Sequence, residues 1–315
     1  MPFMLSDGLL GRRIVLRYDR RAEDGRPPLA DVVGELIGLT EQDVTVAGRH
    51  GPVTVPRADV LIARAVAANR RDILELERIS RRGWRAAEQQ ELDGWWMFAD
   101  RGWTGRANSV LPLRTPGRPL EQLLTTAREF YAGHGLPLQI QVPLPARGLL
   151  DAELAARCWT LERPTIVLTA QLAESDQAAP AGFLATLDAI PAPDWLASYH
   201  YRGGALPDFA VELLSRHDTV TFCTIRHGAQ VAAIGRAVVD DGWLGVTAVE
   251  VAPAFRRRGL AGELMRQLTR WGLAHGAGRC YLQVDAGNAP ALALYAGLGF
   301  IEHHRYHYRL EPAAG

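Results

Sequence analysis

Apolar positions change period several times along this chain, and each change marks an element. Between residues 9 and 66, five short β-type runs alternate with turns: Arg13 to Tyr18, Val32 to Leu39, Val44 to Ala47, Val53 to Pro56 and Val60 to Val66. With little helical periodicity competing, they predict a small SH3-like barrel, since closure is how so small a sheet protects its edges. From Ala67 to Arg82 the period becomes helical, with Ile73, Leu76 and Ile79 on one face. Leu92-Asp93-Gly94 then turns the chain into the aromatic run Trp95 to Phe98, and Gly105 to Leu111 follows, a pair read as two strands joined by a tight turn. The aromatic cluster there reads as buried sheet packing.

The densest pattern lies between Val246 and Phe300. The β-branched run Val246 to Val251 predicts a buried strand that stops at Pro253, which cannot donate to a ladder. Arg256-Arg257-Arg258-Gly259-Leu260-Ala261 leads into Leu260, Leu264, Leu268 and Trp271, the spacing of an amphipathic helix. The glycine thus sits at a helix start, where unpaired N–H groups and the positive end of the macrodipole favour an anion. Gly259 and Ala261 leave that backbone accessible, so the segment Arg256 to Gly262 reads as a diphosphate cradle ringed by arginines. His275-Gly276 stops the helix, Cys280 to Val284 forms a second strand, and Asn288-Ala289-Pro290 opens a short helix with Ala291 and Tyr295 on one face.

Residues 114 to 159 repeat this order at an offset of about 142 residues. Arg114 falls opposite Arg256 and Gly117 opposite Gly259, but Pro119 replaces Ala261, Leu154 replaces Tyr295, and Cys158-Trp159 replaces Gly299-Phe300. A proline there removes an amide hydrogen and adds bulk, which predicts a sister half that kept the fold and lost the anion site. Residues 173 to 181, small and polar, read as a linker. Beyond them, Trp195 to Tyr201 and Asp208 to His217 read as helical segments around Arg202-Gly203-Gly204, and Thr219 to Ile225 with Val231 to Val239 as a hairpin. The expected division is residues 1–66, 67–173 and 182–311, an α/β (α+β) chain.

Composition narrows the function. Thirty-five basic and thirty-five acidic residues balance, and residues 1 to 70 carry ten arginines against nine acidic residues, so no footprint for nucleic acid or anionic membrane emerges. Every basic residue is arginine; with no lysine, the chain has only its terminal amine to autoacetylate. Cys158, Cys223 and Cys280 are unclustered and form neither a disulfide framework nor a metal pattern. The start MPFMLSDG resembles no signal peptide and no run of eighteen apolar residues occurs, so a cytoplasmic protein is expected.

At Arg256, Gly259 and Ala261, and again at Asn288, Ala291, Leu294-Tyr295 and Gly299-Phe300, the chain resembles the GNAT superfamily of acetyl-CoA-dependent N-acetyltransferases. More broadly it resembles actinobacterial members with an SH3-like front domain. The resemblance implies an SH3-like barrel followed by tandem GNAT-like folds, the first degenerate. It further implies that Val249 and Val251 pair with the pantetheine arm on a strand splayed from its neighbour. Arg256, Arg257, Arg258, Gly259, Leu260, Ala261 and Gly262 would hold the diphosphate, with Asn288 and Ala291 on the cofactor arm. Tyr295 would be the general acid at the sulfur, and the helical pair around Trp195, Tyr199, Tyr201 and Asp208 would cover the acceptor. On residues alone Asn288 also fits plain helix capping and Tyr295 a core tyrosine. Glu250 is the candidate base, on the strand face opposite Val249 and Val251, with His200, His227 and Asp285 left open. The implied reaction is direct transfer of acetyl from acetyl-CoA to a primary amine, on a protein or a small molecule. A homo-oligomer is compatible with this reading. The rival reading is a catalytically silent acetyl-CoA-binding sensor or interaction protein.

Overall fold

The computed structural model describes residues 9–20, 29–175, 178–200 and 203–312, so the opening MPFMLSDG, two linker positions, Tyr201 and Arg202 lie outside the described residues. Two units divide the chain, residues 1–69 and 70–315.

The first unit holds β1 (Arg13–Asp19), β2 (Leu29–Leu39), β3 (Asp43–Gly48), β4 (Gly51–Pro56) and β5 (Val60–Ala65). They form an antiparallel five-stranded sheet in the order β4-β3-β2-β1-β5. Strict alternation buries Ile14, Leu16, Val32, Leu36, Val44 and Val46 as one core. Register shifts at Arg17/Tyr18 and Leu36/Gly38 bend strands that would otherwise lie flat.

The second unit is one continuous sheet of eleven strands. Its N-terminal half runs α1 (Arg70–Arg82), β6 (Glu88–Leu92), β7 (Trp95–Ala99), β8 (Val110–Pro112), α2 (Leu120–Gly133), β9 (Gln139–Leu144), α3 (Gly148–Ala156) and β10 (Thr160–Gln171). Its C-terminal half runs β11 (Leu184–Asp188), α4 (Pro193–Ser198), α5 (Ala210–Ser215), β12 (Val220–His227), β13 (Gln230–Asp240), β14 (Trp243–Val251), α6 (Leu260–Ala274), β15 (Arg279–Asp285), α7 (Ala289–Gly297) and β16 (Ile301–Leu310). The Asp93-Gly94 turn feeds the aromatic strand β7 as expected, but it joins β7 to a further strand, β6, and β7 reaches β8 only after residues 100–109. The missed strand Glu-Gln-Gln-Glu-Leu is an exposed edge, so it carries no apolar alternation to read. The helical segments before β12 are also shorter than their sequence periods, ending at Ser198 and starting at Ala210.

Strand order reveals an exchange. β10 leaves the N-terminal half yet pairs with β15, and β16 leaves the C-terminal half yet pairs with β9; the two cross side by side in the middle. Each half thus completes its sheet with the other's last strand. Helices α6 and α7 cover one face over Ile225, Val246, Leu282 and Val284, while α2 and α3 cover Val110, Ile140 and Val142. On the opposite face α1 packs on Val167, Trp243, Tyr281, Tyr306 and Tyr308. Its Glu77 accepts hydrogen bonds from Gln141 at 2.6 Å and lies 2.8 Å from His304, joining β9 to the exchanged strand β16 in a buried polar network.

Candidate active site

Strand β14 opens the site by leaving its neighbour. It pairs in parallel with β15 only from Trp243 to Val246. Beyond that point Ala248 takes a left-handed backbone, φ 55°, and the pairing with β13 slips between Ile234 and Arg236. A bulge of this kind bends a strand, here away from β15, and leaves one edge of Thr247 to Val251 without a ladder partner. Val249 and Val251 turn their side chains to the α6 and α7 core. Glu250 faces the other way, towards α4. The expected splay is therefore present, with the two valines on the side of α6 and α7.

The cradle follows at once. A short turn over Pro253–Phe255 buries Phe255, and Arg256 Nε donates back to the Val251 carbonyl at 3.3 Å, closing the loop onto the strand end. Arg257 has φ 60° and Gly259 φ 76°, so the loop coils to present its amides. A Cβ at Gly259 would meet nothing within 4 Å, which marks open space in front of a backbone that only glycine adopts at little cost. No side chain caps α6. Among the described residues the amides of Arg257 to Gly262 find no acceptor; the first loop bond inside the helix is Glu263 N–H to the Gly259 carbonyl at 3.0 Å. Arg256, Arg257 and Arg258 are exposed around these donors, and the Arg258 guanidinium sits 5.5 Å from the Phe255 ring. Unsatisfied amides, a macrodipole and three cations converge on one surface point, an arrangement that favours an anion.

Helix α7 supplies the remaining predicted residues. Asn288 Oδ1 accepts from the Ala291 amide at 3.2 Å, so the capping reading of Asn288 holds and its carboxamide N–H₂ stays available. Tyr295 is buried against Phe300, ring centroids 5.6 Å apart, in the cluster that holds Phe255 and Leu260. Burial pushes its phenol well above the usual value, and the Cys280 thiol adds to the shift. It stays protonated across the working range.

On the acceptor side, Glu250 Oε1 accepts the His200 backbone amide at 2.8 Å, and Oε2 lies 3.3 Å from His200 Nδ1. The other open candidates are occupied elsewhere: Asp285 accepts from the Gly287 amide at 2.8 Å, and the His227 ring packs at a tilt against Phe183 and Phe255. Tyr199, His200, Leu206, Pro207 and Asp208 line a cleft of about 480 Å³. Trp195 does not: it is fully buried, and its indole N–H reaches the Cys223 and Gly235 carbonyls at 3.1 and 3.3 Å, a core role that corrects its assignment to the acceptor pocket. Tyr201 lies outside the described residues. One contributor was not expected. Trp103, on the β7–β8 loop of the N-terminal half, meets the Tyr199 ring edge-on at 6.4 Å, and the neighbouring Arg101 pairs with Glu212 of α5 at 2.8 Å.

In the N-terminal half the equivalent positions are filled from within. The amides of Gly117 and Arg118 donate to Asp93 Oδ2 at 2.6 and 3.0 Å, so the loop before α2 is answered by a carboxylate of the protein itself. Strands β8 and β9 also pair only once, at Val110 and Ile140, but buried Arg147 reaches the Pro112 carbonyl with Nε at 2.7 Å. Leu154, fully buried, stands for Tyr295.

A splayed parallel pair, an amide-lined loop before a long helix and a tyrosine on the next helix define a GNAT-type N-acetyltransferase. The chain belongs to the family described as "Probable histone acetyltransferase Rv0428c C-terminal", which matches residues 71–309, and residues 9–64 match its "N-terminal Sm-like domain". The first unit is thus Sm-like, a close relation of the expected SH3-like barrel. The chain is 27% identical over 251 residues to an uncharacterised N-acetyltransferase YobR of Bacillus subtilis, covering 76% of this chain and 99% of that one. Among solved structures, a GCN5-related N-acetyltransferase from Kribbella flavida superposes with a TM-score of 0.60 at 18% identity, over 77% of this chain and 96% of that one. A tandem GNAT protein from the clavulanic acid biosynthesis pathway does so at 0.52 and 14%, over 79% and 92%. Both share the fold, and the second is itself described as a tandem GNAT protein. No helix among the described residues is long and apolar enough to cross a membrane.

Proposed function

We propose that the C-terminal half binds acetyl-CoA along β14 and catalyses direct acetyl transfer to a primary amine carried by a peptide or protein. The observation that carries this reading is the run of amides from Arg257 to Gly262 with no acceptor of their own, set at the end of a strand whose edge is free. Arg256 to Gly262 hold the diphosphate, the Val249 and Val251 backbones pair with the pantetheine amides, and Asn288 and Ala291 flank the arm near the thioester. The thioester is already activated, so holding the carbonyl beside the amine supplies most of the rate. Tyr295 donates a hydrogen bond to the sulfur as the C–S bond breaks. Its raised phenol makes it a persistent donor, not a source of free acid. Base chemistry falls to the group centred on Glu250, at the acceptor side of the same strand. A protein-borne amine is favoured because the cleft between α4 and α5 opens at the surface, with Gly203, Gly204 and Ala205 exposed along it. The family description, a histone acetyltransferase, points the same way.

Thiol release from acetyl-CoA with a lysine-bearing basic peptide, a peptide with N-terminal alanine, and spermidine tests the reading. Turnover with either peptide and little with spermidine is expected. Binding of acetyl-CoA without turnover on any amine would leave the sensor reading in its place. Tyr295→Phe should lower kcat by about ten- to a thousandfold with acetyl-CoA affinity nearly unchanged, measured by calorimetry beside the kinetics.

A further inference from the structure

Resting on that reading, we propose that His200 is the catalytic base that takes the acceptor's proton, and that Glu250 is the positioning residue that holds its imidazole in the working tautomer. Both carboxylate oxygens of Glu250 are directed at one residue, the backbone amide of His200 at 2.8 Å and its Nδ1 at 3.3 Å. They are not aimed at an incoming amine. A carboxylate at Nδ1 fixes the proton on that nitrogen and leaves the lone pair on Nε2, the arrangement used wherever a histidine must accept at one specified atom. Nε2 meets no hydrogen-bond partner among the described residues, and the ring, with 62% of its side chain exposed, lines the cleft beside Tyr199 and Asp208. The backbone contact adds precision. Because Oε1 grips the His200 amide itself, the imidazole is tied at both chain and ring to the strand edge along which the thioester lies.

The proton count closes. Nε2 accepts one proton from the acceptor's ammonium group. The freed nitrogen pair forms the C–N bond at the thioester carbonyl, and the C–S bond breaks with its electrons on sulfur. The sulfur is protonated through the Tyr295 hydroxyl as the nascent amide nitrogen gives up its second proton to the same hydroxyl, so the phenol never stands as a free anion, and His200 releases its own proton to solvent.

Two readouts test this. The first needs no acceptor. In long-range proton–nitrogen spectra of histidine-labelled protein, the His200 signal, assigned by its loss in His200→Gln, should show Nδ1 protonated and Nε2 bare in the neutral form. Glu250→Ala should abolish that preference. A neutral His200 protonated at Nε2 in the wild type overturns the proposal. The second is kinetic, with the lysine-bearing peptide, the alanyl peptide and spermidine. His200→Gln should lower kcat about 10²- to 10⁴-fold and remove the acid limb of the rate profile, with KM for acetyl-CoA within about twofold. The groups facing the imidazole among the described residues are Glu250 from β14 and, along the cleft, Tyr199 and Asp208. The limb should therefore survive Asp208→Asn. His200→Gln turning over at the wild-type rate overturns the dyad and leaves the enzyme reading intact. Wild-type silence towards all three amines overturns both.

Discussion

The two halves of the large sheet share a backbone and differ in what occupies it. The Leu136 N–H to Tyr131 carbonyl bond that ends α2 recurs as Ala277 to Gly272 at the end of α6. Trp159 to Leu154 recurs as Phe300 to Tyr295, each across a left-handed residue, Cys158 in one half and Gly299 in the other. Against this likeness stand three local differences. Where the C-terminal half leaves loop amides unpaired, the N-terminal half answers them with Asp93. Where β14 and β15 part, Arg147 bridges the corresponding gap. Where one half carries a phenol, the other carries Leu154. A fold that places donors does not make a site, because a carboxylate at the turn of β6 and β7 is enough to use them up.

The N-terminal half is nevertheless built into the other, because β10 stands between β15 and β16. The Pro164 carbonyl at its start also accepts the Ala286 amide at 2.9 Å and so steadies the turn that leads to Asn288. The largest effect should therefore come from cutting the halves apart. Residues 182–311 expressed alone leave β15 with a bare edge, and should yield no cooperative urea transition and no acetyl-CoA binding, whereas residues 67–311 should show both. A cooperatively folding 182–311 fragment would mean that the exchange is not required.

Next in size is a transplant. Ala261→Pro tests the position that the sequence offset set opposite Pro119, although in the fold Pro119 caps α2 as Gly259 caps α6; it removes one amide donor and adds bulk at the open cradle. Loss of a hydrogen bond to a charged group costs about 1.5–3 kcal/mol, so acetyl-CoA affinity by calorimetry should fall about ten- to a hundredfold, with the thermal midpoint little changed. Unaltered affinity would place the diphosphate elsewhere. The reverse experiment has a smaller effect. Asp93→Ala unpairs two exposed amides that water can reach, so about 1 kcal/mol of stability should be lost by urea titration. Cofactor stoichiometry should stay at one per chain, since Pro119, Arg147 and Leu154 remain. Two equivalents bound would show that Asp93 alone keeps the sister half shut.

How much of this was written in the sequence depended on how local the signal was. The strands of the first unit and the α6 cradle are legible because alternation and helical spacing act over a few residues. Asp93 reads as an ordinary turn residue, since its partners lie 24 and 25 residues further on and no local pattern links them. The exchange was hidden for the same reason, although Thr160–Gln171 carries an apolar run. In Ile301–Leu310 the inward positions include His304 and Tyr306, whose polar atoms find Glu77 and Gln283, so a buried strand reads as a polar one. Trp195 misled in the opposite direction, because only the fold shows that its N–H has two carbonyls to reach.

The seam also carries a pH-dependent effect, and its sign follows from burial. His303 Nδ1 lies 2.8 Å from His304 Nδ1, and His304 reaches Glu77 through Nε2. Burial, then the neighbouring His304 and Arg279, push His303 down to about 3 from its ordinary 6.5. His217, buried beside Arg85 and Arg236, is lowered as well. Below pH 6.5 the unfolded chain therefore takes up protons that the folded one refuses. Stability is fully present above that value and is lost as pH falls towards 3, each refused proton costing up to about 1.4 kcal/mol per pH unit. Urea midpoints taken from pH 7.5 to 5 should be flat at first and then fall. His303→Phe should remove one proton's share of that slope and leave the share of His217, while the alkaline plateau shifts only by the packing change. An unchanged slope in His303→Phe would show that His303 accepts its proton within the folded sheet, and that the seam between the two halves is wetter than its burial suggests.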